Sequence, residues 1–145
     1  MSTYSIPVLY ILMRNDLASM NPGKAMAQAS HASNAFVKDA TVRLNGDITH
    51  SKDINLNNAF ETWKGETGQG FGTVIVLAVN ENEMRTATMY ADACGFVNGI
   101  VHDPTYPLLD GDSVHFIPLD TCAYVFGIKD DPMLKGLLRN FPLHP

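Results

Sequence analysis

The run Ile6-Pro7-Val8-Leu9-Tyr10-Ile11-Leu12-Met13 is continuously apolar. It is too short to cross a bilayer and fits a strand buried on both faces, so it predicts a central strand. After a short polar loop, Arg14-Asn15-Asp16-Leu17, the period changes. Asn21 can cap a helix and Pro22 suits its first position, where a missing N–H costs nothing. At about 100° per residue, Lys24, Gln28 and His31 fall in one stripe, with Met26, Ala29, Ser33, Phe36, Val37 and Ala40 opposite. The segment from Lys38 to Asn58 is polar without a sustained period and carries the turn signal Asn45-Gly46-Asp47. It reads as an exposed insertion at about 42–58. Ala59-Phe60-Glu61-Thr62-Trp63 predicts a short helix packing Phe60 and Trp63 on the core.

A strand over Thr73–Val79 follows. Asn80 and Glu83 are placed to cap a helix whose buried stripe is Met84, Ala87, Thr88, Ala91 and Cys94, with Gly95 ending it. Phe96 to His102 leads as a strand to Asp103, Asp110-Gly111-Asp112 reads as a hairpin tip, and Thr121–Gly127 is the last strand. Asp131-Pro132 opens a closing helix with Met133, Leu134, Leu137 and Leu138. The succession predicts an α/β/α layered fold with a roughly four-stranded mixed sheet flanked by helices. There is no internal repeat.

Composition narrows the class. A chain of 145 residues is expected to form one domain over residues 1–145 and to bury about two-thirds of its unfolded surface. The apolar run lacks a basic leader and a small-residue cleavage site, so neither signal peptide nor membrane span is expected and a cytoplasmic location follows. Cys94 and Cys122 sit in apolar surroundings and read as two reduced core thiols. The five histidines show no metal-ligand spacing, and neither metal nor other cofactor is expected.

Net charge is −5, but it is unevenly spread. Residues 1–64 carry six Lys or Arg against five Asp or Glu, a balance of +1, and residues 65–145 carry four against ten, a balance of −6. Arg14, Lys24, Lys38 and Arg43 can form a local basic path beside an acidic body, or stand as scattered solvated charges. The helix N-terminus adds backbone donors and a positive dipole end next to Lys24, which suits a phosphate, a carboxylate or a developing oxyanion. On spacing alone, Lys24 is more simply a first-turn lysine, Gln28 a solvated side chain and His31 a partly buried helix histidine. The preceding strand tips the balance, because ligands in open α/β folds collect beyond the carboxyl ends of such strands.

Met13-Arg14-Asn15-Asp16-Leu17, followed by Gly23-Lys24-Ala25-Met26-Ala27-Gln28-Ala29-Ser30-His31-Ala32, resembles the amino-terminal signature of the type 2 peptidyl-tRNA hydrolases. Trp63, Gly68-Gln69-Gly70, the strand Thr73–Val79, the helix from Glu81 and the strand ending at Asp103 follow that family's order of elements. The resemblance implies hydrolysis of the ester between a peptide, or an N-blocked amino acid, and the 3′ ribose of tRNA, with peptidyl-tRNA as partner and a homodimer as assembly.

The resemblance also implies roles for single residues. Lys24 with the helix N-terminus would stabilise an oxyanion or a terminal phosphate. Asp103, paired with Lys24 and kept ionised by it, would orient or deprotonate water. His31 is a second candidate base, since an imidazole titrates near neutral pH, although its place on the helix suggests that it lies too deep to meet the ester. Gln28, His31 and Thr121 would hold the acyl or adenosine end, and Arg14, Asn21, Gln28, Thr105 and Thr121 form the expected substrate-binding set. Without the resemblance, Asp103 is a turn aspartate before Pro104. The chain departs from the family pattern over residues 104–120, a modified hairpin loop in which His115 and Phe116 stand where Thr and Gln are expected. Either Thr105 or Thr121 supplies the family's hydroxyl. The competing readings are a catalytically inactive member that binds tRNA or a protein, and a small-ligand or peptide-binding α/β domain.

Overall fold

The computed structural model describes residues 6–45 and 51–145. Its elements in chain order are β1 (Pro7–Arg14), α1 (Pro22–Asn45), α2 (Ser51–Gly65), β2 (Val74–Val79), α3 (Glu81–Ala93), β3 (Val97–Asp110), β4 (Ser113–Ile128) and α4 (Pro132–Leu138). The strands form one mixed sheet in the order β2-β1-β4-β3. β1 runs parallel to β2 and antiparallel to β4, and β3 pairs antiparallel with β4. The apolar run is thus the central strand, as its composition demands.

Alternation along the strands sends each set of side chains to one helical layer. Leu9, Ile11, Met13, Cys122, Tyr124 and Phe126 share a core with Phe36 of α1 and with Phe60 and Trp63 of α2. Leu12, Leu77, Val79, Ala123 and Val125 share the other with α3 and α4. Phe36 is the centre of the first, with ring centroids 4.6 Å from Phe126, 5.2 Å from Trp63 and 5.4 Å from Phe60. Burying each such ring contributes about 1.5–3 kcal/mol, which outweighs the polar composition of the helices that carry them. The Trp63 indole N–H donates to the Thr73 carbonyl at 2.9 Å and ties α2 to the start of β2.

Several expectations change here. Residues 42–45 continue α1 and residues 51–58 belong to α2, so most of the expected insertion is helical. Ala40 is buried and Leu44 packs partly against the same core, while Leu56, Ala59, Phe60 and Trp63 repeat at three and four residues. That is a helical period hidden by polar neighbours. Gly46 and Asp47 of the turn signal lie outside the described residues.

On α1 the buried stripe is Ala25, Gln28, Ala32, Phe36 and Ala40, whereas Met26 is 70% exposed. The helix is therefore rotated from the expected phase, and Gln28 faces the sheet. Residues 104–120 are not a loop: β3 and β4 pair through Asp110↔Ser113, with Gly111 at φ +61° in the tip. Because β1's last pair with β4 is Met13↔Cys122, this ribbon extends past the end of the central strand.

Cys122 is buried, but Cys94 is exposed as the C-cap of α3, so only one of the two thiols is in the core. The capping box of α3 forms as expected, with Asn80 Oδ1 accepting from the Glu83 N–H at 2.7 Å and Glu83 Oε1 from the Asn80 N–H at 2.8 Å. Gly95 at φ +83° then ends the chain's path along α3. Asn80→Ala is expected to cost about 1 kcal/mol and lower the melting temperature by about 2–4 °C, measurable by calorimetry. Asp131 caps α4 through the Met133 N–H at 2.9 Å, although Met133 itself is exposed. Among the described residues, no helix is long and apolar enough to cross a membrane.

Candidate active site

Two irregularities in the β3–β4 ladder build the polar centre. The pairs Val101↔Cys122 and His102↔Asp120 leave Thr121 as an extra residue on β4. A bulge of this kind re-aims a side chain, so Thr121 and Cys122 both meet α1 instead of pointing to opposite faces. The second shift lies between Asp103↔Leu119 and Tyr106↔Ile117, three steps on β3 against two on β4. It turns Asp103 and Tyr106, which an unbroken strand would send to opposite faces, towards the same side.

A buried relay results. The Thr121 hydroxyl donates to Gln28 Oε1 at 2.6 Å, and Gln28 Nε2 donates to Asp103 Oδ2 at 2.7 Å. Asp103 Oδ1 accepts from the Thr105 N–H at 2.9 Å and from its hydroxyl at 3.3 Å. Thr121 is 0% exposed, Gln28 3% and Asp103 8%. Burial opposes ionisation of Asp103. The Gln28 amide, the Thr105 N–H, the nearby His31 and the Thr105 hydroxyl together outweigh it, and hold the carboxyl below its ordinary value.

Lys24 does not form the expected pair with Asp103. Its ammonium donates to the Pro107 carbonyl at 2.7 Å and lies 5.1 Å from the centroid of the Tyr106 ring. The ribbon has drawn the long side chain to β3 beyond the carboxylate. Tyr106, which the sequence did not single out, is fully buried and shares a hydrogen bond of 3.0 Å with the Ser19 hydroxyl. Its only signal was its place three residues after Asp103. Asn21 acts as the cap, its Oδ1 accepting from the Lys24 N–H at 2.8 Å.

His31 is exposed rather than too deep, and its influence on the Asp103 carboxyl places it beside the site. Arg14 is 7% exposed. Its guanidinium grips Asp16 at 2.9 and 3.2 Å and the Asp120 carbonyl at 3.1 Å. Asp16 also accepts from the Glu81 N–H at 3.0 Å. Arg14 therefore anchors the end of β1, the following loop and the strand that carries Thr121, and is not presented to a phosphate. Gln28 and Thr121 likewise have their polar atoms committed to the relay, so their geometry is that of groups that position Asp103. The Cys122 thiol is pushed up to about 12 by burial, which removes it as a nucleophile at neutral pH. Among the described residues, no three His, Cys, Asp or Glu side chains gather as a metal site.

Fold and site together define a layered α/β domain with an ionised carboxylate and a lysine at the carboxyl end of its central strand. The family model described as peptidyl-tRNA hydrolase PTH2 matches residues 7–117, and the chain belongs to that family. The match contains Lys24, Gln28, His31, Asp103, Thr105 and Tyr106 and ends before Thr121. No curated protein sequence matches the chain.

Proposed function

We propose that this chain hydrolyses the ester between a peptide, or an N-blocked amino acid, and the 3′ ribose of tRNA. The observation that carries this reading is the Thr121–Gln28–Asp103 relay, which holds an ionised carboxylate near Lys24 in a chain of the peptidyl-tRNA hydrolase family. Water adds to the ester carbonyl carbon, a tetrahedral oxyanion forms, and the bond to the ribose oxygen breaks. The proton lost by water is made good on the leaving hydroxyl, so no covalent enzyme intermediate is needed.

Asp103 orients the attacking water. A carboxyl held below its ordinary value is a weak base but a fixed acceptor, which suits orientation better than full deprotonation. Lys24 and the first turn of α1 face the developing negative charge or a terminal phosphate. His31, exposed on the next turns of α1, is the group available to move a proton. Gln28, Thr105 and Thr121 set the direction of the Asp103 carboxylate. Lys38 and Arg43, both exposed further along α1, add basic charge for the tRNA backbone. The proposal places the protein in the cytoplasm with the translation machinery and, from the family resemblance, as a homodimer.

Attachment of Lys24 to the Pro107 carbonyl favours a second reading, a tRNA- or protein-binding module without turnover. Release of N-acetyl-aminoacyl groups from tRNA by the purified protein separates the two. The expected result is cleavage of the blocked substrate well above the spontaneous rate, with unblocked aminoacyl-tRNA cleaved little. A folded protein that leaves the blocked ester at the spontaneous rate, yet binds tRNA with steep salt dependence, establishes the binding module instead.

A further inference from the structure

Among the described residues, the ammonium of Lys24 has two neutral partners and no carboxylate in ion-pair contact. One is the Pro107 carbonyl at 2.7 Å, the other the face of Tyr106 at 5.1 Å. Both sit on the ribbon where the chain departs from the family pattern. We propose that Tyr106 is the residue that positions Lys24, so that the β3–β4 ribbon, and not Asp103, fixes where the cation stands; this rests on the reading of Lys24 as the group that meets the substrate's negative charge.

The physical case has three parts. A cation within about 6 Å of a ring centroid is attracted by the ring's quadrupole, and more strongly when water is excluded. Tyr106 is 0% exposed, so its ring cannot turn aside or be solvated. The hydroxyl end is clamped as well, by the Ser19 hydroxyl at 3.0 Å and the Met20 sulfur at 3.9 Å, which locks the ring plane against the loop leading into α1. The register shift between Asp103 and Tyr106 is what brings this ring to the α1 side at all.

The consequence concerns charge. A lysine paired with a carboxylate has most of its field cancelled before substrate arrives. Held by a ring and a carbonyl, Lys24 is oriented while its full positive charge remains available to an oxyanion or phosphate. Asp103, bonded to Gln28 and Thr105, is left to water. The two charged groups act on different parts of the ester because separate partners hold them apart.

Two measurements test this. In protein whose lysines are reductively methylated with ¹³C, the Lys24 methyl signal, assigned by its loss in Lys24→Ala, is expected upfield of the exposed lysines through the Tyr106 ring current. It should stay upfield in Tyr106→Phe and join the exposed lysines in Tyr106→Leu. In hydrolysis of N-acetyl-aminoacyl-tRNA, Tyr106→Leu is expected to lower kcat about tenfold with KM within about twofold. Tyr106→Phe, which keeps the ring and loses the Ser19 bond, should restore kcat to within about threefold of the parent. An unshifted Lys24 signal in the parent protein overturns the proposal, whether or not the leucine variant folds. So do equal kcat values for the leucine and phenylalanine variants. If the parent protein cleaves no ester, the hydrolase reading falls, and the methyl signal still decides the Lys24–Tyr106 contact by itself.

Discussion

Asp103→Asn is expected to lower kcat for release of blocked aminoacyl groups from tRNA by about 10²- to 10⁴-fold, with a melting temperature within about 3 °C of the parent. The loss follows from charge, because the substituted side chain has the same shape and cannot hold an attacking water by a full negative charge. The retained stability follows from the relay. An asparagine oxygen in place of Oδ1 keeps the Thr105 N–H, now at 2.9 Å. Its amide then faces Gln28, which can turn its own amide over so that its oxygen accepts and its nitrogen meets the Thr121 hydroxyl, and that hydroxyl can rotate to accept. Every buried polar atom keeps a partner, so the penalty of an unsatisfied group is avoided. Stopped-flow or acid-precipitation assays beside calorimetry check both halves. A drop in kcat accompanied by a large loss of melting temperature would mean that Asp103 is needed for the fold rather than for the reaction.

The pH dependence of the parent protein carries the same sign. The folded carboxyl of Asp103 lies below its unfolded value. Its contribution to stability is therefore present above the ordinary aspartate range and lost as pH falls through the lowered folded value. Between neutral pH and that acid range Asp103 stays ionised, and it puts no acid limb on kcat/KM.

Local signals carried most of the fold in the sequence. The buried strand β1, the capping box of Asn80 and Glu83, Gly95 after α3 and Asp131 before α4 each depend on a few neighbouring residues, and each is found where the chain pattern puts it. Phe60 and Trp63 were legible as a core-packing helix, but the extents of α1 and α2 were hidden, because polar residues on their solvent faces masked the spacing that adds Leu44 and Leu56. The site divides in the same way. Lys24, Gln28 and Asp103 were visible as residues, but the partners of each depend on where β3 and β4 slip against one another. A register shift is a property of two strands paired across a ribbon, and no window of one strand shows it. Hence the bonds that join Thr121 to Gln28 and Gln28 to Asp103 could not be read from the chain, and Tyr106 and Ser19 were not expected at all.

Lys24→Ala is the complementary experiment, with an expected fall in kcat of about 10²- to 10³-fold. The cap of α1 survives, because Asn21 accepts from the backbone N–H of residue 24 and not from its side chain. Alanine is also the better helix former, so the change in stability should stay within about 0.5 kcal/mol despite the lost bond to the Pro107 carbonyl. How the loss divides between kcat and KM identifies the anion. If Lys24 faces the oxyanion, which exists only in the transition state, kcat falls and KM hardly moves. If it holds a phosphate of the tRNA end, the loss falls on binding, and the slope of log affinity against log salt becomes shallower by about one unit. Lys24→Arg separates these further: a guanidinium restores a phosphate contact readily but cannot occupy the same position between Tyr106 and the Pro107 carbonyl. Binding lost in Lys24→Ala and recovered in Lys24→Arg would assign Lys24 to a phosphate, whereas a low kcat with unmoved KM in both variants would assign it to the oxyanion. Unchanged kcat in Lys24→Ala would remove the cation from the mechanism and leave the chemistry to Asp103, His31 and the α1 N-terminus.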